Sequence, residues 1–293
     1  MEKDEIVILE DRGLISISGE DAENFLQNII TNNVKHVSES QSIFSALLTP
    51  QGKYLSEFFV VKKNDEYLID SCEISTKDII KNLNKFKLRS KVKIEDLSSK
   101  YVVGVISLEK FKYLQLETKS SFNTISYRDC PTFVDPRKSE LGARILSNLD
   151  KLYLTIKKLN LKITTKDKYI KIAHKLGVPI EGLHEMKEKL FGLEANFEEL
   201  NAIDFGKGCY VGQENTARMR LKNKLNKRLI PLETSASVSI GTKIKYQDLI
   251  VGEILIDKPL PFALVKLNLL KDKEIYNINY VVDGKNAKFI NNK

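Results

Sequence analysis

Cysteine and histidine are scarce, with three of each in 293 residues. Cys72, Cys130 and Cys209 are widely spaced and odd in number, which argues against a disulfide framework in a chain of this length. No CxxC pair occurs, and imidazole is limited to His36, His174 and His184. The chain therefore does not assemble a zinc site by itself, and a metal at Cys209 would draw its other ligands from a cofactor or a partner. No apolar run is long enough to span a bilayer. The opening residues, Met1-Glu-Lys-Asp-Glu5, are acidic and lack the basic stretch and apolar core of a secretory signal, so a cytoplasmic address and no membrane partner are expected. Internal repeats and low-complexity linkers are also missing.

What is present is an ordinary globular composition, 42% hydrophobic and 29% charged, in a chain long enough for more than one structural unit. The net charge of +8 favours anionic ligands without naming one. Lysine is abundant throughout, together with asparagine and isoleucine, so nucleic acid is not required as a partner.

Residues 6–18 alternate as extended segments, with Leu14, Ser16 and Ser18 on one face and Ile15 and Ile17 on the other. Ala22, Phe25, Leu26, Ile29 and Ile30 then form one helical stripe, with Glu20 and Asp21 in its first turn. Strands are expected at 43–48 and 54–62, joined by Thr49-Pro-Gln-Gly52, whose proline and glycine positions fit a type I turn. A turn at Asn64-Asp65, a strand at 67–70, a helix at about 76–88 and a strand at 101–106 follow, an α+β order. Residues 148–200 read as mainly helical, with candidates at 166–176 and 183–190 separated by Gly177-Val-Pro179. After Lys227 short strands are expected at about 229–233, 242–246, 249–256 and 262–267, with a hairpin signal at Asp283-Gly284. This tail reads as a small β-barrel or sandwich.

The densest chemistry lies where the helical region meets the β tail. Lys207-Gly-Cys-Tyr-Val-Gly-Gln-Glu214, continued to Arg218, packs glycines, a thiol, an amide, a carboxylate and two cations together. Buried polar groups are costly without partners, so such a cluster points to a site. Cys209 admits two readings, a small buried hydrophobe or a thiol activated by nearby Lys207. Gly206, Gly208 and Gly212 permit close ligand approach or form a plain interdomain loop, but match neither phosphate-loop pattern. Gln213 and Glu214 offer the donors and acceptors a heterocycle needs, or make a solvated helix start, with Glu214 and Arg218 an i, i+4 pair. The cations Arg218, Arg220, Lys222, Lys224, Lys227 and Arg228 suit a polyanion or RNA, or form a solvated face; no aromatics interleave them. A second cluster, Asp135-Pro-Arg137 with Leu141-Gly-Ala-Arg144, reads first as a structural Asp–Arg network.

The stretch from Lys207 to Glu214, with Arg218, closely resembles the signature of the YgfZ-type folate-binding proteins, relatives of the glycine-cleavage T-protein, an aminomethyltransferase. Gly19-Glu-Asp-Ala22 with Phe25-Leu-Gln27 and Thr31, Leu48-Thr-Pro-Gln-Gly52, Asp135-Pro-Arg137 with Leu141-Gly142 and Arg144, Gly177-Val-Pro179 and Leu193-Glu194 match that family in order. The resemblance covers most of the chain and is weakest in the β tail. It implies an α+β, three-domain T-protein-like fold around a central folate channel: residues 1–48 with 145–222 as a discontinuous folate-binding domain, 49–144 as a ferredoxin-like domain, and 223–293 as a small β-barrel. It implies a tetrahydrofolate-binding accessory protein for assembly or repair of iron–sulfur clusters, mainly four-iron, whose partners are iron–sulfur assembly proteins or client enzymes. Cys209 would be the functional thiol and a transient cluster ligand. Lys207, Tyr210, Gln213, Glu214, Arg218, Glu194 and Glu57 would be the folate contacts, and a polyglutamate tail would suit the positive balance.

Two departures stand out. Aminomethyltransferases carry a paired Asp-Asp shortly after the first-hairpin glycine, and an ungapped reading places it on Ser56-Glu57. One carboxylate is gone, which weighs against the alternative function, a folate-dependent aminomethyl or one-carbon transferase. Gly192 stands where the family often has proline.

Overall fold

The computed structural model describes residues 1–222, 225–235, 237–270 and 275–291. In chain order its strands are β1 (Glu5–Leu9), β2 (Arg12–Ser18), β3 (Ile43–Leu48), β4 (Tyr54–Lys63), β5 (Glu66–Cys72), β6 (Lys93–Asp96), β7 (Val102–Ile106), β8 (Thr124–Tyr127), β9 (Cys130–Val134), β10 (Ala143–Ser147), β11 (Lys162–Thr164), β12 (Lys227–Thr234), β13 (Lys243–Tyr246), β14 (Leu249–Ile256), β15 (Phe262–Lys266), β16 (Tyr280–Val282) and β17 (Lys285–Phe289). The helices are α1 (Ala22–Gln27), α2 (Glu73–Lys87), α3 (Leu108–Thr118), α4 (Leu149–Leu159), α5 (Lys166–Lys175) and α6 (Gln213–Leu221).

The strands sort into a six-stranded sheet, β11-β1-β7-β10-β9-β8, a five-stranded sheet, β3-β4-β5-β2-β6, and a closed barrel, β12-β15-β14-β13-β16-β17. Alternation along β4 shows why the two sheets stack. Phe59 and Val61 enter the core that joins the sheets, while Phe58 and Val60 pack with Phe25, Leu26, Ile79 and Leu83 of α1 and α2. Each such fully buried apolar side chain contributes roughly 1.5–3 kcal/mol. Leu229 and Phe262 extend the shared core into the first barrel strands.

The chain leaves the first sheet after Leu9 and enters the second at Arg12, so Asp11 and Arg12 lie at the crossover. The divisions expected at 48/49 and 144/145 cut across this arrangement. β3 pairs with β4 across the first, and β10 contains the second. Strands from 49–144 enter both sheets, because their non-local partners decide sheet membership.

The tail closes as a barrel, with the expected hairpin at Asp283-Gly284, both at positive φ. The expected helix at 183–190 is a single 3-10 turn, Leu183–Met186, and the chain is irregular from there to α6. Glu188, Asn196 and Asn201 take φ values of 61°, 64° and 56°, which a continuous helix does not accept. Leu190, Leu193, Ala195, Phe197 and Leu200 are buried all the same, so their periodicity reports burial and not helix.

Candidate functional site

The Lys207–Arg218 signature lies as a bent strap ending in α6. Its partner surface is the loop after α1. Val211 N donates to Asn28 O at 3.2 Å and Asp204 N to Thr31 O at 3.2 Å. Thr31 in turn donates through Oγ1 to Ala202 O at 2.6 Å and accepts from Ala46 N. Lys207 is buried, and its Nζ donates to Ile30 O at 2.7 Å and Asn32 O at 2.8 Å. Burial pushes its ammonium down to about 8, opposed by the smaller effect of Asp204. Lys207 thus holds backbone, and no hydrogen bond joins it to the thiol among the described residues. Its ammonium also lies 5.0 Å from the Tyr210 ring centre. Tyr210 is itself buried, which pushes its hydroxyl up to about 12.

Gly212 is where the strap meets the Thr49–Gly52 turn. It has φ +83°, and a Cβ there would stand 2.5 Å from Thr49 O and 2.8 Å from Leu48 Cβ. The turn closes with Gly52 N donating to Thr49 O at 2.8 Å, and Asn215 Nδ2 ties it to α6 through Gln51 O. Between these anchors, Gly208 and Cys209 are exposed, and a Cβ at Gly208 would meet nothing within 4 Å. The strap is fixed at both ends and presents its thiol outward. Among the described residues no three Cys, His, Asp or Glu side chains gather as a metal cluster.

Gln213, Glu214 and Arg218 of α6 line an open groove with Tyr210 and Phe86. No ion pair joins Glu214 to Arg218 among the described residues. The cationic run is divided: Arg220 pairs with Glu198 at 2.9 Å and stacks over Phe205, and Arg228 pairs with Glu199. Lys224 lies outside the described residues. Glu194 accepts from Phe191 N at 2.9 Å, a local cap in the irregular segment.

Glu57 belongs to a different place. It lines an inner chamber with Arg12, Phe44, Phe59, Arg137 and Arg144, and its carboxylate accepts from Tyr54 Oη. This chamber shares no lining residue with the signature groove. Asp70, fully buried, serves two arginines, accepting from Arg12 Nε at 2.6 Å and Arg144 Nε at 2.9 Å. Arg137 forms a fork with Asp135 at 2.9 and 2.7 Å. The expected Asp–Arg network is therefore real, and it also walls a cavity. One atom is left over: Arg144 Nη2 is buried without a partner. The inner chamber is about 20 Å³, room for a single water-sized group. Through Asp11, Cys72 and Ile180 it adjoins an outer chamber of about 430 Å³. Asp11, Glu73, Glu181, Glu185 and Asp257 line that outer space against Lys258 and His184, and Lys166 pairs with Asp11 and Glu181 at 2.7 Å each, which leaves an acidic excess. Asp70 and Arg12 carried no sequence signal, since each lies in an ordinary strand and gains meaning only from partners on the neighbouring strand or the other sheet.

Residues 9–107 match the family model described as the GCVT N-terminal domain. Over 97% of its length the chain superposes on 84% of the glycine cleavage system aminomethyltransferase T from Bartonella henselae, with TM-score 0.77 and 12% identity, a likeness of fold alone. The chain has the T-protein fold. It is similar to the mitochondrial iron–sulfur cluster assembly factor IBA57 homolog of Dictyostelium discoideum, 28% identical over 93% of this chain and 71% of that protein. The protein of the same name from Pyricularia oryzae is 30% identical, over 82% of this chain and 60% of the relative. The chain thus spans little more than half the length of several fungal proteins of that name. These relatives overturn the expected cytoplasmic address, because they are mitochondrial by name. The acidic opening residues did not choose between compartments.

Proposed function

We propose that this chain is a YgfZ-type, tetrahydrofolate-binding accessory protein for assembly or repair of iron–sulfur clusters, mainly four-iron, with Cys209 as its working thiol. The observation that carries the reading is the outward presentation of Cys209 on a strap whose flanks are clamped by Lys207 and Gly212. The names of the similar proteins support the same process. The cluster is cargo. Cys209 supplies one thiolate, and the remaining ligands come from the assembly protein or client enzyme that gives or receives the cluster.

The residues of the two chambers fit a folate. Apolar walls and a few polar anchors are the usual design of a small-molecule pocket. Ile180, Ile240, Leu255 and Ile256 of the outer chamber offer the walls, and at its inner end Glu57 offers an acceptor and Arg144 an unpartnered buried donor. When bound, tetrahydrofolate would supply one-carbon or reducing chemistry; the chain's residues bind and orient it. The outer chamber is of ligand size, and the inner end admits one polar group. The acid-lined outer chamber opposes a polyglutamate tail despite the positive net charge, since local charge decides. Isothermal titration is expected to give polyglutamylated folate no advantage over the monoglutamate. A clear preference for the longer tail would reject this placement.

Transferase chemistry is the weaker reading. Ser56 is buried, and the one carboxylate left, Glu57, is engaged by Tyr54. The deciding experiment is complementation of a deletion strain, scored by the activities of iron–sulfur enzymes. Wild-type protein is expected to restore them and Cys209→Ser to fail; full rescue by Cys209→Ser would remove the thiol from the mechanism.

A further inference from the structure

The groove beside the thiol holds Tyr210, Gln213, Glu214 and Arg218, four of the residues expected to contact folate, and its apolar lining reaches well beyond them. It is formed where α6 faces the C-terminal end of α2 and the flank of α1. Two depressions of about 940 and 910 Å³ share Phe86 and Val211 and so form one continuous surface. Phe25, Ile29, Leu88 and Leu221 add apolar lining. Leu88 and Leu221 are 87% and 85% exposed, among the most exposed large apolar side chains of the molecule. Contiguous apolar surface of this kind marks an interaction site more often than scattered single residues do.

The charges around it have one prevailing sign. Arg89, Arg218 and Lys222 line the groove, and exposed Lys85 stands on the last turn of α2. Against them are Glu214 and Asp21, the latter already accepting from Lys91 N at 2.7 Å. Tyr210 and Val211, the residues that follow Cys209, form one wall. A concave apolar groove between helices, rimmed by cations, is complementary to an amphipathic helix with acidic flanks.

We propose that this groove docks an amphipathic, acid-flanked helix of a partner protein and so brings a group carried by that partner to Cys209. The proposal rests on the preceding section only for what the thiol receives; the docking itself is independent of it. A flat anionic lipid surface and a second copy of this chain are the competing occupants, and the test separates them.

The probe is a helical peptide of about 15 residues with leucine at i, i+4 and i+7, glutamate at the flanking positions, and a terminal chloroacetamide. A sister peptide has lysine in place of glutamate. With the full chain, the acidic peptide is expected to alkylate Cys209 about tenfold faster than the lysine peptide. L88E/L221E is expected to abolish the difference, and Leu116→Glu, an equally exposed control on α3, to leave it intact. Equal rates for both peptides, or no effect of L88E/L221E, would overturn the proposal. Cosedimentation with phosphatidylserine–phosphatidylcholine vesicles that L88E/L221E abolishes, without peptide acceleration, would reassign the groove to a lipid surface. A dimer in sedimentation velocity that the same variant dissociates would reassign it to self-association. In the deletion strain, full activity of L88E/L221E beside an inactive Cys209→Ser would sink the docking and leave the thiol reading standing. Full activity of Cys209→Ser would sink the thiol reading whatever the peptides do.

Discussion

The inner chamber and the signature strap handle polar groups in opposite ways. In the chamber, Arg137 and Arg144 are buried and Arg12 half-buried, all held by Asp70 and Asp135, and Arg144 Nη2 is buried without a partner among the described residues. On the strap, the polar anchors face inward and the reactive atom faces out: Lys207 is fixed on two carbonyls while Cys209 is exposed. The chamber is enclosed and suited to holding one polar group of a ligand. The strap is open and suited to meeting something large. A binding site and a transfer site can therefore be separate on this fold.

The comparison can be broken first at its buried end. Asp70→Asn leaves two guanidiniums without their carboxylate, and about 3–5 kcal/mol of stability is expected to be lost in urea denaturation. A loss under about 1 kcal/mol would mean the network does not hold the sheets together.

Within the strap, Gly212→Ala is expected to cost about 2–4 kcal/mol, combining left-handed strain with overlap against Thr49 O. Gly208→Ala, with open space around it, is expected to stay within about 0.5 kcal/mol of wild type. Equal costs would erase the distinction between clamped flank and open centre.

Lys207→Met removes two buried hydrogen bonds and is expected to cost about 1–3 kcal/mol. Its pH dependence carries a sign. The folded-state pKa of about 8 lies below the usual lysine value, so between these two pH values the unfolded chain binds the extra proton. The wild-type advantage over Lys207→Met is expected to grow as pH rises through that window; a constant difference would place the ammonium in water.

The smallest effect sharpens the contrast with the barrel contact. His174 donates through Nδ1 to Leu260 O and packs on Phe262, and burial lowers its pKa below the ordinary histidine range. Protonation then favours the unfolded chain, so stability is expected to fall as pH drops below about 6.5. His174→Leu should flatten that slope in a series of melting temperatures.

Much of this was legible in the sequence wherever a pattern is local. Apolar runs bounded by turns marked β3, β4 and the barrel strands, and the stripe from Ala22 to Ile30 marked a buried face even though α1 itself ends at Gln27. The signature was visible because its unusual residues are contiguous. Sheet membership was not legible, because it depends on pairings such as β1 with β11 across more than half the chain. Nor was the pairing of Asp70 with both Arg12 and Arg144, which joins strands of two sheets. Lys207 was expected beside the thiol from its position two residues away, yet its long side chain turns back to Ile30 and Asn32. The same limit hid the acid lining of the outer chamber beneath a net charge of +8.

The central claim is that the exposed thiol, and not the enclosed chamber, meets the iron–sulfur cargo. Visible absorption of the purified protein titrated with a cluster donor tests it most directly. Wild-type protein and Glu57→Gln are expected to develop thiolate-to-iron charge-transfer bands, and Cys209→Ala to show none. Identical bands in Cys209→Ala and wild type would contradict the account.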